Sequence, residues 1–79
     1  MVDDDPGALL YRTIGERIRT TRKARRLTQD HLAYAIGFRR TSVVNIEAGR
    51  QRLPIAALYD IADVLGVQAT ELLPRNEEV

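Results

Sequence analysis

The segment from residue 28 to residue 49 constrains the fold more than any other part of this chain. Thr28 is a favourable N-cap, because its hydroxyl can accept a backbone N–H at the start of a helix. Gly37 provides the left-handed residue that commonly ends a helix, and Gly49 follows a second run in the same way. Apolar residues recur at helical spacing between these signals: Leu32, Ala33, Ile36, Val43 and Ile46. The segment therefore predicts two short helices joined by a tight turn, the second over about residues 40–48.

Helical signals also flank this segment. Apolar residues at three- and four-residue spacing predict a first helix over about residues 8–25. Pro54 opens a fourth helix at a position where its missing N–H costs nothing, and Gly66 closes it. A short fifth helix is predicted over residues 69–73, where Pro74 stops it. The sequence thus predicts an all-α fold of five helices.

The two ends of the chain differ in composition from the helical body. Residues 1–7 are acidic and contain Pro6 and Gly7, so they are predicted to form a disordered arm. Residues 8–74 are predicted to form one compact domain, and residues 75–79 a disordered tail. A chain of 79 residues without cysteine has one modest core and no disulfide to support it.

The formal net charge of +1 conceals a separation of charge along the sequence. Five of the eleven acidic residues lie at the two ends, at Asp3–Asp5, Glu77 and Glu78. The other six stand against all twelve Lys and Arg residues between positions 6 and 76, which gives that body a net charge of +6. Eleven of these cations are Arg, whose planar guanidinium suits phosphate and guanine. The pattern favours a polyanionic partner, although solvated helix faces are often rich in Arg as well.

The predicted third helix has two different faces. On a wheel of about 100° per residue, Val43 and Ile46 point to one side, where they can anchor the helix on the core. The opposite side carries four side chains suited to base contacts: Arg40, Thr41, Val44 and Asn45. Arg can bond guanine O6 and N7, Asn can bond adenine N6 and N7, and Thr or Val can contact the thymine methyl group. This face predicts contact with duplex DNA, although the same side chains on a surface helix can simply be solvated.

Five motifs occur in order between residues 14 and 67. They are Ile14-Gly-Glu-Arg-Ile-Arg with Arg22, Leu27-Thr-Gln-Asp-His-Leu-Ala, Gly37, Ile46-Glu-Ala-Gly, and Leu58-x-x-Ile-Ala-x-x-Leu-Gly-Val67. In this combination the chain resembles the Cro/xenobiotic-response-element (XRE) helix-turn-helix repressors, which include lambdoid phage repressors and restriction–modification controller proteins. The resemblance implies a compact lambda-repressor-like domain of five helices. Its second and third helices would form the helix-turn-helix, with the third in the major groove.

The resemblance also implies roles for individual residues. Base contacts are implied for the outward face of the third helix: Arg40, Thr41, Asn45 and, as an apolar auxiliary, Val44. DNA-backbone contacts are implied at the start of the second helix and in the loop after the third: Thr28, Gln29, Arg50, Gln51 and Arg52. A helix N-terminus suits phosphate because its free N–H groups and its dipole attract an anion. Arg22 and Glu47 are implied to form a structural ion pair between the first and third helices.

Two arginines depart from the family pattern. Arg39 stands where Ser or Thr usually caps the third helix. Its side chain cannot accept an N–H, so either the cap comes from elsewhere or Arg39 contacts DNA instead. Arg26 stands where glycine often ends the first helix, so that connection is expected to be strained or reshaped.

The C-terminal end of the domain is more apolar than one face of a small monomer needs. The residues concerned are Ile55, Tyr59, Val67, Leu72 and Leu73. In similar family members this region forms a two-fold dimer interface, so the resemblance implies a homodimer on a palindromic site. Such a dimer would place its recognition helices about 34–36 Å apart, one turn of duplex DNA. Alternatively, these residues close the bottom of the core.

Other kinds of site lack the residues that they need. His31 is the only histidine, Ser42 the only serine, and cysteine is absent. This composition disfavours a nucleophilic triad, a zinc site and a glycine-rich phosphate loop, so neither an enzyme nor a metal or other cofactor is expected. The chain has no apolar run of membrane-spanning length, and its acidic start is wrong for a signal peptide. A cytoplasmic protein with no small-molecule ligand is the expectation.

These observations predict a sequence-specific transcriptional regulator that binds double-stranded DNA as a homodimer on a palindromic operator. Autoregulation is a further hypothesis, because 79 residues leave no room for a sensor domain. The alternative is a protein-interaction module, an antitoxin or an adaptor, that uses Leu72, Leu73 and the tail to bind a partner. The separation of charge and the polar face of the third helix favour DNA.

Overall fold

The computed structural model describes residues 7–79. Four α-helices follow one another: α1 (Ala8–Ala24), α2 (Gln29–Ile36), α3 (Arg40–Glu47) and α4 (Ile55–Leu65). Two 3₁₀ helices, Ala69–Glu71 and Asn76–Glu78, complete the described chain, in which there is no strand. The all-α prediction is confirmed. The predicted acidic arm lies outside the described residues except for Gly7.

The predicted fifth helix is a single 3₁₀ turn, Ala69–Glu71, and not an α-helix over residues 69–73. Its backbone bonds join residues three apart, as from the Glu71 N–H to the Gln68 carbonyl at 2.9 Å. The Glu71 carboxylate in turn accepts the Gln68 N–H at 2.8 Å. One tight turn fits here because Pro74 prevents a longer helix from continuing.

The residues after Pro74 lie against α1, which differs from the tail that the sequence predicted. Arg17 of α1 donates hydrogen bonds to the Leu73 carbonyl at 2.9 Å and to the Glu78 carboxylate at 3.0 Å. The same carboxylate accepts the Arg75 N–H at 2.9 Å. Because these groups are exposed, the contact adds little stability.

The hydrophobic core lies between all four helices. Its largest fully buried side chains come from every α-helix and from the chain after α4: Ile18, Leu32, Val43, Ile46, Ile61, Leu65 and Leu72. α3 packs against α1 and α2, while α4 packs mainly against α2. This arrangement leaves one side of α3 outside the core, so the helix-turn-helix formed by α2 and α3 lies at the surface.

The end of α1 differs from the ends of the other helices. α2, α3 and α4 are each followed by a glycine of positive φ, for example Gly37 at 74°. α1 ends with the same hydrogen-bond pattern, in which the Leu27 N–H bonds the Arg22 carbonyl at 3.1 Å and the Arg26 N–H bonds the Lys23 carbonyl at 2.9 Å. Its left-handed residue is Arg26, with a φ of 61°. The connection is therefore strained as expected, since a residue with a Cβ pays about 1–2 kcal/mol for this conformation.

Gly15 allows α1 to approach the end of α3 closely. A Cβ at this position would collide with the carbonyl oxygen of Ile46 and would lie 2.7 Å from that of Glu47. Both obstacles are backbone atoms, which cannot move unless α3 itself shifts. Gly15 thus positions the C-terminal end of α3, and with it the exposed face of that helix.

Candidate nucleic-acid interface

α3 buries one face and exposes the other. Val43 and Ile46 are 1% and 2% exposed and hold the helix on the core. The four predicted base-contacting residues share the outward side of the helix. Arg40 and Thr41 are exposed, and Val44 and Asn45 are half-buried. The geometry of this face is therefore compatible with base contacts, and the contacts themselves remain a prediction.

Arg40 is paired within the helix-turn-helix. Its Nε lies 3.7 Å from Oδ1 of Asp30, in the first turn of α2. The two side chains are 62% and 76% exposed, so solvent screens the pair. The guanidinium is held near the start of α3, yet it can exchange Asp30 for a base at little cost.

Asn45, near the other end of α3, also has a weak protein partner. Arg50 donates from Nε to Asn45 Oδ1 at 3.4 Å. The bond is long and exposed, so it is weak. It nevertheless orients the Asn45 amide, the group that would bond adenine.

Thr28 caps α2. Its Oγ1 accepts the backbone N–H of His31 at 3.0 Å. The N–H groups of Gln29 and Asp30 come earlier in the helix and have no partner within it, as at any helix N-terminus. These donors suit an anion, but the Asp30 carboxylate lies in the same turn and opposes a second negative charge.

The side chain of Gln29 is directed toward α3. Its Nε2 donates a hydrogen bond to Oε1 of Glu47 at 3.0 Å. In this position the amide is occupied by a protein partner, although the resemblance implied a contact with the DNA backbone. The backbone N–H of Gln29 remains suitable for a phosphate.

Arg22 and Glu47 form the expected ion pair. Arg22 donates from Nε to Glu47 Oε2 at 2.7 Å and from Nη2 to Oε1 at 3.0 Å. Its third nitrogen, Nη1, donates to the Leu27 carbonyl at 2.7 Å. The two side chains are only 8% and 2% exposed, so water does not solvate their charges. These hydrogen bonds replace the lost solvation. Because Gln29 shares the carboxylate, the network joins the end of α1, the start of α2 and the end of α3.

Arg39 occupies the N-cap position of α3 and makes no capping bond with its side chain. No other side chain caps this helix either, so the replacement cap considered from the sequence is not found in the described chain. The exposed guanidinium of Arg39 lies directly before Arg40 and adds positive charge to the start of α3.

The loop after α3 and the start of α1 enclose a basic cleft. Its volume is about 530 Å³, and its lining includes Tyr11, Arg12, Arg50 and Arg52. The guanidinium carbon of Arg52 lies 5.3 Å from the centre of the Tyr11 ring, within cation–π range. Gln51, between the two loop arginines, is half-buried. Among residues 7–79, three arginines and no acid line the cleft, which gives this part of the chain the positive charge that suits a phosphate backbone.

The predicted dimer residues divide into an exposed set and a buried one. Ile55, Tyr59 and Leu73 are 74%, 61% and 36% exposed, and Val67 is half-buried. Leu72 is 0% exposed. Its assignment to an interface is therefore wrong for this fold, because its side chain closes the bottom of the core.

The sequence comparisons agree with this geometry. Residues 13–74 match a family model described as a helix-turn-helix domain. The chain belongs to the helix-turn-helix domain family. It is 46% identical over 61 residues to an uncharacterized HTH-type transcriptional regulator, YazB, of Bacillus subtilis (strain 168), an alignment that covers 76% of this chain and 87% of YazB.

Solved structures extend the likeness to the fold. The restriction–modification controller protein C.AhdI from Aeromonas hydrophila superposes with a TM-score of 0.76 at 28% identity, over 80% of this chain and 96% of that chain. The XRE-type resemblance predicted from the motifs is confirmed. This helix-turn-helix protein is a transcriptional regulator with a helix-turn-helix DNA-binding domain.

The same fold also occurs within an enzyme. Hydroxypropylphosphonic acid epoxidase from S. wedmorenis superposes with a TM-score of 0.79 at 25% identity, over 85% of this chain but only 36% of that chain. The family nevertheless indicates a DNA-binding regulator and not an enzyme. It also does not favour the alternative of an antitoxin or adaptor module.

No group of His, Cys, Asp or Glu side chains within residues 7–79 is arranged to hold a metal ion. No helix in the same range is long and apolar enough to cross a membrane. The lone His31 is exposed and Ser42 is half-buried.

No binding role was predicted from the sequence for several residues near these surfaces. Leu10 and Leu53 line an apolar groove together with Ile55 and Leu73, which enlarges the exposed apolar surface. Lys23 and Arg26 border the start of α2. Helical spacing places Lys23 on an outer face of α1. No pattern in the neighbouring sequence indicates that Lys23 or Arg26 lies beside α2.

Proposed function

We propose that this helix-turn-helix protein is a sequence-specific regulator that places α3 in the major groove of duplex DNA. One observation carries the proposal: α3 is fixed to the core by Val43 and Ile46 while a polar and cationic face stands clear of it. The base contacts would come from that face: Arg40, Thr41, Val44 and Asn45.

The proposed base contacts follow from side-chain chemistry. Arg40 would bond guanine O6 and N7, and Asn45 would bond adenine N6 and N7. Thr41 and Val44 would contact thymine methyl groups. In the free protein, Arg40 and Asn45 already have weak exposed partners, Asp30 and Arg50, which hold them close to the helix.

The proposed backbone contacts bracket α3. An eight-residue helix is about 12 Å long, comparable with the width of the major groove. Arg39 and the N–H groups at the start of α2 would meet the backbone at one end. The loop residues would meet it at the other: Arg50, Gln51 and Arg52. Such contacts set orientation and affinity but carry little sequence information.

We also propose that the protein acts as a homodimer on a palindromic operator. The proposed interface is the exposed apolar surface of Ile55, Tyr59, Val67 and Leu73, with Leu72 excluded because it is buried. Exposed apolar side chains of this size next to an apolar groove favour association with a second copy. A two-fold dimer would present two α3 helices to half-sites about one DNA turn apart.

The decisive experiment is fluorescence anisotropy of the purified protein against duplexes that tile the DNA upstream of its own coding sequence. Shuffled duplexes of the same composition serve as controls, and every titration is repeated over a salt series. We expect one tile to bind on the order of a thousandfold more tightly than the shuffled duplexes. Equal, weak and steeply salt-dependent binding to all duplexes would contradict the proposal, because it would reveal only a basic surface.

Autoregulation in the cytoplasm is the most specific form of this proposal. It draws support from the similarity to C.AhdI, which is itself a controller protein. A reporter driven by the upstream DNA should change its output as the protein is titrated in cells. A flat response, with protein present and folded, would rule out autoregulation while leaving DNA binding elsewhere intact.

A further inference from the structure

We propose that Lys23 and Arg26, at the C-terminal end of α1, bind a phosphate of the DNA backbone beside the start of α2. This inference rests on the proposed function, since it assumes that α3 faces DNA. It adds a cationic site that lies in α1 and the turn after it, outside the helix-turn-helix. The site would contact the same backbone as the first turn of α2.

The first argument is the arrangement of charge around an open cavity. The cavity has a volume of about 560 Å³ and lies between the end of α1, the start of α2 and the start of α3. Lys23, Arg26 and Arg40 line it with exposed positive charge, and Asp30 is the one exposed acid that residues 7–79 contribute to its lining. Since Asp30 already lies 3.7 Å from Arg40, the cavity retains the net charge of Lys23 and Arg26.

The second argument is the conformation of Arg26. Its φ of 61° is unfavourable for any residue with a Cβ, whereas glycine adopts it freely. The turn itself needs no Arg side chain, because its bonds are made by the backbone N–H groups of Arg26 and Leu27. Within residues 7–79 the Arg26 guanidinium makes no hydrogen bond or ion pair, so no contact inside this part of the chain offsets the strain. The strain therefore has no counterpart within the described chain, and a phosphate bound by the guanidinium would supply one.

The third argument identifies the partner as a phosphate. Gln29 and Asp30 at the start of α2 line the same cavity, and their N–H groups have no acceptor within the helix. An Arg fork and a Lys ammonium are both common phosphate donors. With two cations beside these N–H groups, a phosphate could approach in spite of the Asp30 carboxylate. The Arg40 guanidinium at the same cavity ties the site to the face of α3 that would meet the bases.

The test uses Arg26→Gly, because the proposal predicts that this substitution raises the stability of the fold and weakens DNA binding. Glycine relieves the strain, so the thermal midpoint should rise by a few degrees. Binding to a shuffled duplex should weaken several-fold, and the slope of log K against log salt should fall by about one unit for the lost phosphate contact. Weaker binding by a more stable protein cannot be attributed to unfolding.

Arg25→Ala is the matched control. Arg25 is the adjacent exposed arginine, it has a φ of −87°, and it does not line the cavity. Its loss removes the same charge, so a general effect of net charge would change both salt slopes equally. We expect a clear decrease for Arg26→Gly and little change for Arg25→Ala. Lys23→Gln, which leaves the turn intact, should lower the slope by a similar amount.

Equal salt slopes for Arg26→Gly and Arg25→Ala would overturn the proposal and leave Arg26 as a solvated side chain. This outcome is separable from failure of the proposed function. If the native protein prefers none of its upstream duplexes, specific regulation fails. The slopes on shuffled DNA still decide whether Arg26 contacts phosphate.

Discussion

The side-chain amide of Gln29 donates a 3.0 Å hydrogen bond to Oε1 of Glu47, the oxygen that also accepts from Arg22. The first residue of α2 is thereby tied to the last residue of α3 through a buried carboxylate. This bond fixes the start of α2, where a phosphate is proposed to bind, relative to the end of the helix proposed to contact bases. One buried ion pair thus supports both parts of the candidate interface.

Gln29→Ala should lower the free energy of unfolding by about 1.5 kcal/mol, near the lower end for a hydrogen bond to a charged group. Equilibrium urea unfolding measures the change. Gln51→Ala is the matched control, because Gln51 is a half-buried glutamine without a side-chain hydrogen bond in the described chain. It should change stability by less than about 0.5 kcal/mol. Equal effects of the two substitutions would refute the importance of the Gln29–Glu47 bond.

Gly15→Ala should be among the most damaging single substitutions in the protein. The new Cβ would collide with backbone atoms at the end of α3, so we expect a loss of about 3 kcal/mol or more in the free energy of unfolding. Gly37→Ala is the control. It has a φ of 74° with no atom within 4 Å of the added Cβ, so only the conformational cost of about 1–2 kcal/mol applies. Thermal or urea unfolding of both variants would show whether Gly15 is special; a smaller loss at Gly15 than at Gly37 would argue against the close crossing.

Arg40→Ala should reduce discrimination between DNA sequences. We expect a loss of about 1–3 kcal/mol on the preferred duplex and a relaxed preference at one base pair. Arg50→Ala should instead weaken preferred and shuffled duplexes alike and lower the salt slope by about one unit. Anisotropy titrations with single-base variants of the preferred duplex distinguish the two effects. If Arg40→Ala weakened all duplexes equally, the assignment of the base-contacting face would be incorrect.

Leu72→Ala and Ile55→Ala should separate the core from the proposed dimer interface. Leu72 is fully buried, so its truncation should cost about 2–5 kcal/mol in monomer stability. Ile55 is 74% exposed, so truncation should leave monomer stability within about 0.5 kcal/mol and weaken association. Urea unfolding at low protein concentration and sedimentation equilibrium measure the two quantities. Unchanged association of both Ile55→Ala and Tyr59→Ala would direct the search for a dimer interface to another surface.

The fold was largely predictable because its signals are local. Thr28 and Gly37 bound α2 where the sequence placed it, and the stripe that includes Leu32 enters the core. The buried and outward faces of α3 agree with the helical wheel for the same reason, since side-chain direction on a helix follows from spacing alone. The strain at Arg26 was also predictable. A helix end of this type needs a left-handed residue even when the residue at that position has a large side chain.

The details of the candidate site were less predictable because they depend on distant neighbours. The hydrogen bond from the Gln29 side-chain amide to Glu47, eighteen residues away in sequence, was not predicted. For Leu72 the sequence left an interface and the core as alternatives, and its burial beneath the helices supports the core. No local pattern distinguishes an apolar residue that closes a core from one that awaits a partner.

The sequence by itself determined the four α-helices, the polar face of α3 and the family, since periodicity, capping and motif spacing are properties of neighbouring residues. Only the tertiary structure decided that Gly15 touches the backbone of α3, that Glu47 serves both Arg22 and Gln29, and that Leu72 belongs to the core. The physical reason is that collision, hydrogen bonding and burial are set by atoms from different helices. Those atoms meet only when the chain is folded.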